Sequence, residues 1–332
     1  MAQHKDDQST LHGIVVRNTG SAYIVRTDDG REVECRVKGN FRLRGIRSTN
    51  PVAVGDGVTL RQQQGAHHQA DAQAAATQTL FITEIDERRN YIVRKASNLS
   101  KQSHILAANI DLALLVVTVA RPQTTTTFID RFLATAEAYR VPAALLINKM
   151  DQLTDDERQE ADYLGHIYGA IGYPVFMVSA LTGDGLDAIR TAMQGQTSLL
   201  AGHSGVGKST LINRFVPDAN ARTAGISDAH GTGMHTTTFS ELYTLPEGGA
   251  LIDIPGIKGF GTFNMEREEV AHFFRDIFAL SADCRFNNCT HTHEPGCAVL
   301  RALEDHRLAP SRYASYLSML DDKDESKYRE AF

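Results

Sequence analysis

A chain of 332 residues, 42% of them apolar and 22% charged, has the make-up of a globular protein and the length for two or three separate cores. Its net charge of −6 argues against indiscriminate nucleic-acid binding, although a local basic patch can still bind. No apolar run reaches membrane-spanning length, and the polar start Met1-Ala2-Gln3-His4-Lys5-Asp6 lacks the apolar stretch of a secretory signal.

The four cysteines, three of them between 284 and 297, suit a metal site in a reducing compartment better than a disulfide framework. A cytoplasmic monomer with no membrane association is expected. Residues 1–80 carry short β-branched runs at 13–16, 21–25 and 32–37, separated by Gly, Asn and Asp, with Asp28-Asp29-Gly30 as a hairpin signal. Such spacing predicts a small β-barrel, an OB-fold, whose last strand opens near Val54-Gly55-Asp56-Gly57-Val58. Residues 61–78, rich in Gln, Ala and His, read as a linker or excursion. Arg36, Lys38, Arg42, Arg44 and Arg47 surround Phe41 with no acidic residue among them. That loop is either an RNA contact or simply a solvated charged segment. Cys35 is expected in the barrel core.

From residue 81 to 265 the pattern becomes alternating buried strands and amphipathic helices, the mark of a parallel α/β sheet. Strands are expected at 112–119, 143–147, 175–178, 197–201 and 251–252, with helices at 128–139, 155–169, 186–193 and from 208. Each candidate motif stands at the carboxyl end of a strand, where open α/β sheets bind ligands.

Gly202-His203-Ser204-Gly205-Val206-Gly207-Lys208-Ser209 fits the phosphate-cradling loop between a strand and a helix. Its glycines let backbone N–H groups converge on one phosphate chain at the N-terminus of a helix. Lys208 would reach the β- and γ-phosphates, the Ser209 hydroxyl would ligate Mg²⁺, and Thr210 continues the first turn. Asn148-Lys149-Met150-Asp151 supplies base identity. The Asp151 carboxylate can accept from the guanine N1–H and 2-amino group, neither of which adenine offers; such a mismatch gives roughly 10⁴-fold discrimination. Lys149 would lie along the base, Asn148 would tie this loop to the phosphate loop, and Ser179-Ala180 is a second base contact. Asp253-Ile254-Pro255-Gly256 has the form that senses a γ-phosphate. Asp253 would hold Mg²⁺ through water, and the Gly256 N–H would meet the phosphate. Thr237, in His235-Thr236-Thr237-Thr238, is the candidate switch threonine and a further Mg²⁺ ligand. Ile257 follows Gly256 where many GTPases place a water-orienting Gln, so slow intrinsic hydrolysis is expected.

Residues 266–332 are expected to form a mostly helical zinc-binding domain, with helices at 270–280, 298–304 and 311–320. Cys284-x₄-Cys289-x-His291-x₅-Cys297 offers three thiolates and an imidazole, a closed tetrahedral set for one structural Zn²⁺, with His293 as a substitute for His291.

The base-reading tetrapeptide precedes the phosphate loop, the reverse of the usual order, so the domain reads as a circularly permuted P-loop GTPase. With these motifs and the Cys/His knuckle behind a barrel, the chain resembles the RsgA/YjeQ family over nearly its whole length. The resemblance implies an OB-fold, a permuted GTPase domain and a zinc domain, and GTP hydrolysis to GDP stimulated by the small ribosomal subunit and its rRNA during late assembly. Some members carry a His after the Asp-x-Pro-Gly motif; Phe260-Gly261-Thr262-Phe263-Asn264-Met265 has none, so no catalytic His is carried over. A GTPase of translation or signalling, and an RNA-binding scaffold with incidental hydrolysis, are the competing readings.

Overall fold

The computed structural model describes residues 10–20, 22–37, 51–62, 80–95, 103–219, 240–254 and 265–321. Thr237, Gly256, Ile257, most of the basic loop (38–47), residues 63–78 and the charged tail from 322 lie outside the described residues.

Strands β1 (Thr10–Asn18), β2 (Tyr23–Thr27), β3 (Glu32–Val37), β4 (Gly57–Gln62) and β5 (Leu80–Ile85) close into a barrel. Neighbours run β1-β2-β3-β5-β4 and back to β1, antiparallel except for the parallel β3–β5 pair. Closure leaves no free edge, and this is the five-stranded closure expected of an OB-fold. Alternation along the strands sends Val15, Val25, Cys35, Val58, Leu60 and Ile82 into one core. The strand opening near Val58 is therefore not the last: Leu80-Phe81-Ile82-Thr83 supplies another, as its β-branched character allows. Asp28-Asp29-Gly30 does make the β2–β3 turn, with the Gly30 N–H donating to the Thr27 carbonyl at 2.8 Å.

A hairpin of β6 (Tyr91–Lys95) and β7 (Ser103–Ala108) stands between barrel and sheet, and sequence reasoning missed it. Below it, Arg88 forms a buried double contact with Asp56, both at 2.6 Å.

The second sheet is built from β8 (Leu112–Val117), β9 (Ala143–Ile147), β10 (Val175–Met177), β11 (Thr197–Ala201), β12 (Glu241–Thr244) and β13 (Ala250–Asp253). Its order is β10-β9-β8-β11-β13-β12, parallel except for β12. Both faces of β8, β9 and β11 are covered, so every residue of these three strands is apolar or small. On β8, Ala113, Leu115 and Val117 face one core with helices α1 (Thr126–Ala138) and α2 (Asp155–Ala170). Leu114 and Val116 face the other, with α3 (Leu186–Met193) and α4 (Lys208–Phe215). At Arg17↔Glu241, β1 pairs with β12, so barrel and sheet form one run of 11 strands.

The C-terminal part packs α5 (Arg275–Ser281), α6 (Ala298–Glu304) and α7 (Pro310–Asp321) on the outer side of α1, whose Ala134 joins their core. The helix expected over 270–280 is broken. A 3₁₀ segment, Arg267–Phe273, gives way at Phe274 to α5. Phe274 takes extended backbone angles there and is fully buried against Tyr316, ring centroids 5.7 Å apart. Burying that ring evidently outweighs an unbroken helix. Across this seam Arg312 is buried between Asp130 of α1 and Asp276 of α5.

Candidate nucleotide-binding site and metal centre

The loop between β11 and α4 can follow its path only because of its glycines. Gly202 and Gly207 have φ of +148° and +101°. A Cβ on Gly202 would lie 2.6 Å from the Val116 carbonyl oxygen, and one on Gly207 would lie 2.3 Å from Asn148 Nδ2. Helix α4 starts at Lys208 without a side-chain cap, leaving its first N–H groups for an anion. Val206 is buried in the core while Ser204 and Gly205 form the exposed tip; Ser209 and Thr210 sit half-buried in the first turn. The Lys208 ammonium donates to the Gly202 and His203 carbonyls at 2.6 and 2.9 Å, bending back over the loop it would share with phosphate. Burial lowers its pKa, with the charge of Asp253 opposing. The His203 ring has Nε2 2.7 Å from Thr124 Oγ1 and lies edge-on to Phe128. Its Nδ1 lies 3.0 Å from the Ser204 carbonyl of the same loop.

Asn148, 1% exposed, follows β9 and joins three loops. Its Nδ2 donates to the Val206 carbonyl at 2.8 Å, and its Oδ1 accepts from the Ala180 N–H at 2.9 Å. Lys149 has a φ of +68° and donates to the Arg121 carbonyl at 2.6 Å. Asp151 Oδ1 accepts from Ser179 Oγ at 2.6 Å. The motifs separated in sequence are thus brought together: 148–151, 179–180 and 202–209 share one hydrogen-bonded frame.

Asp253 closes β13 beside Lys208. Its Oδ1 is buried and has no hydrogen-bond partner among the described residues. Burial pushes its pKa up to about 6, the Lys208 charge opposing and Glu241 adding to the rise. A desolvated carboxylate oxygen without a partner suits a hydrated divalent cation, so the residues present fit Mg²⁺ accompanying a nucleotide.

In the C-terminal part, the ligand atoms of Cys284, Cys289, His291 and Cys297 lie within 4.8 Å of one another. His291 Nδ1 is 3.6 Å from Cys284 Sγ and 3.5 Å from Cys297 Sγ, and those two sulfurs are 4.0 Å apart. A tetrahedral zinc site with ordinary bond lengths has edges of about 3.5 Å for S···N and about 3.8 Å for S···S. The donor set therefore fits Zn²⁺. His293 lies outside the group, its Nδ1 paired with Thr292 Oγ1 at 2.8 Å. The knuckle is braced from α7: the Tyr313 hydroxyl donates to the His291 carbonyl and the Tyr316 hydroxyl to the Thr290 carbonyl, both at 2.8 Å. Within it, the Glu294 carboxylate accepts from the Thr290 and Thr292 N–H groups at 2.6 and 3.0 Å. Such outer groups fix how the ligands present themselves.

Two supports escaped the sequence reading. The turn after β8 carries Thr124, which holds His203, and the Arg121 carbonyl, which holds Lys149. Arg214, in the last turn of α4, grips the carbonyls of Ala180 and Leu181. No motif marks either one; only the packing reveals them.

Residues 85–263 match the family model described as RsgA GTPase, and residues 12–67 the one described as RsgA N-terminal domain. The chain belongs to the RsgA GTPase family. It is 59% identical to the small ribosomal subunit biogenesis GTPase RsgA of Bacteroides fragilis over 97% of this chain and 100% of that one. To the RsgA of Porphyromonas gingivalis, of the same description, it is 57% identical, over 96% and 99% of the two chains. Among solved structures, YjeQ from Thermotoga maritima superposes with a TM-score of 0.70 at 31% identity, covering 94% of this chain and 98% of that one. YloQ, described as a circularly permuted GTPase, gives a TM-score of 0.68 at 28% identity, covering 98% and 99%. RsgA GTPases are GTP hydrolases, and YloQ is described as circularly permuted.

Proposed function

We propose that this protein hydrolyses GTP as a late assembly factor of the small ribosomal subunit, acting as a cytoplasmic monomer whose hydrolysis is stimulated by the subunit and coupled to release. The observation that carries the reading is the frame centred on Asn148, which holds the phosphate loop and both base loops in one piece. The names of the relatives supply the assembly role.

In this reading Asp151, oriented by the Ser179 hydroxyl, accepts from the guanine N1–H and 2-amino group, while the Ala180 loop closes on the base. Lys208 exchanges its carbonyl partners for the β- and γ-phosphates, and the N–H groups from Gly205 to Thr210 receive the remaining oxygens. Mg²⁺, when bound, would neutralise phosphate charge. Ser209 and Thr237 would hold it directly and Asp253 through water, and the Gly256 N–H would meet the γ-phosphate. Ile257 cannot orient water, so the free protein is a slow enzyme. The subunit either adds a group or orders the segments around Thr237 and Gly256, and ordering alone is worth several kcal/mol of barrier. One Zn²⁺ on Cys284, Cys289, His291 and Cys297 is structural, and the rRNA contacts include the basic loop from Arg36 to Arg47. The segment after Asp253 leads into the zinc-binding part, so loss of the γ-phosphate moves that part directly.

Turnover with and without purified small subunits, and co-sedimentation with GDP, GTP and a non-hydrolysable analogue, test this. Strong stimulation and weaker binding with GDP are expected. Unchanged turnover with tight RNA binding would support a scaffold instead, and equal co-sedimentation in all three states would sink the release step.

A further inference from the structure

We propose that Arg214 is a positioning residue for guanine recognition, acting through the Ser179–Asp151 contact from the opposite end of the helix that carries Lys208. The inference rests on the guanine-site reading above. Arg214 Nε donates to the Ala180 carbonyl at 3.0 Å, and a second guanidinium nitrogen donates to the Leu181 carbonyl. The C=O and N–H of a trans peptide point in opposite directions. Holding the Leu181 carbonyl towards α4 therefore turns the Thr182 N–H away from it, and that N–H donates to Ser179 Oγ at 3.1 Å. With its lone pair so engaged, the Ser179 hydroxyl donates to Asp151 Oδ1 at 2.6 Å. Four groups thus stand in series: guanidinium, peptide, hydroxyl and the carboxylate that would read the base.

The anchor itself is held. Arg190 of α3 donates to the Arg214 carbonyl at 2.8 Å and lies over the buried Phe215 ring, 5.4 Å from its centroid. A planar fork can meet two adjacent carbonyls at once, which a lysine ammonium on a flexible stem does not reproduce. Because α4 begins at Lys208 and ends beside Arg214, one rigid helix sets the phosphate and base ends of the site in register.

The test uses the full chain with Arg214→Lys, Arg214→Met and Arg190→Met, and affinities for GTP, GDP, ITP and ATP by competition with a fluorescent GDP. ITP lacks only the 2-amino group, whose N–H would donate to Asp151. In both Arg214 variants the preference for GTP over ITP should fall by about fivefold or more. The ratio of GTP to GDP affinity should stay within about twofold of wild type, because the Lys208 end is untouched. Arg190→Met, which keeps the guanidinium fork and frees its backbone, should fall between wild type and Arg214→Met. An unchanged GTP/ITP preference, or an equal loss of all four nucleotides, overturns the proposal. Should Arg214→Met fail to fold, Arg214→Lys and Arg190→Met still decide it. A wild-type protein that binds ITP and ATP as tightly as GTP refutes the guanine site itself, which is a different result.

Discussion

Replacing Arg312 with Met should loosen the C-terminal helices from the GTPase fold far more than any surface charge change. Arg312 donates to Asp130 Oδ1 at 2.6 Å and to both oxygens of Asp276 at 2.9 and 2.7 Å. Its side chain is 1% exposed, that of Asp130 0% and that of Asp276 11%. Removing one partner from such a group strands a buried charge, which costs about 3–5 kcal/mol. Asp276 can turn towards water, so the lower end of that range applies. For contrast, Arg307 and Asp305 are 57% and 58% exposed, and losing that pair should cost less than about 1 kcal/mol. The chain has several cores, so one melting temperature is not the quantity to measure. Hydrogen exchange of α7 amides is. A loss of 3 kcal/mol raises the exchange rate by roughly 150-fold. Adding Asp130→Asn to Arg312→Met should recover part of this by removing one stranded charge. A change below about fivefold would show that the seam does not hold α7, and the reasoning from burial would fail.

Gly207→Ala places a Cβ 2.3 Å from Asn148 Nδ2 at a φ of +101°, and should weaken nucleotide binding by about 100-fold; wild-type affinity in equilibrium dialysis would refute the cradle. Asp253 has its folded pKa raised to about 6 by burial, above its unfolded value of about 4. Between those values the native state holds the extra proton, so stability falls as pH rises through that window and stays lowered above it. In nucleotide-free protein kept in a chelator of Mg²⁺, the β13 amides of Asp253→Asn should therefore exchange more slowly than those of wild type at about pH 8 and equally near pH 4; a constant difference would count against the shift. Cys289→Ser should reduce bound metal from about one zinc per chain and expose α6 to exchange while largely sparing nucleotide binding. A metal-free wild type purified without chelator would remove the zinc assignment.

Sequence patterns carried the parallel sheet well, because strands buried on both faces must be continuously apolar, as in Leu112-Ala113-Leu114-Leu115-Val116-Val117. They also marked the loops 148–151, 179–180 and 202–209 at strand ends, and the structure joins these loops through Asn148. The barrel's fifth strand and the β6–β7 hairpin were less legible. Their runs are short, and strand partners such as Val37↔Ile82 are set by closure rather than by neighbours in the chain. The break at Phe274 was hidden because a helical period continues through it; tertiary burial of one ring overrides the period. Arg214 and Arg312 were illegible for a related reason. Each acts through partners distant in sequence, and charged residues on a helix read as solvent-facing.

The burial of α1 between two cores has a consequence for the order in which the protein can be finished. Its inner face packs on the sheet, but the Asp130 carboxylate on its outer side meets Arg312 only 182 residues later. At a translation rate of about 5–20 residues per second, that gap amounts to roughly 10–40 s for 182 residues. Throughout it the helix presents an ionisable group and the small Ala134 surface to solvent. The nascent GTPase core can settle, but this face is sealed only when α7 has left the ribosome. A protein truncated before α7 should therefore be made with a site that looks complete in sequence and a helix beneath it that never closes.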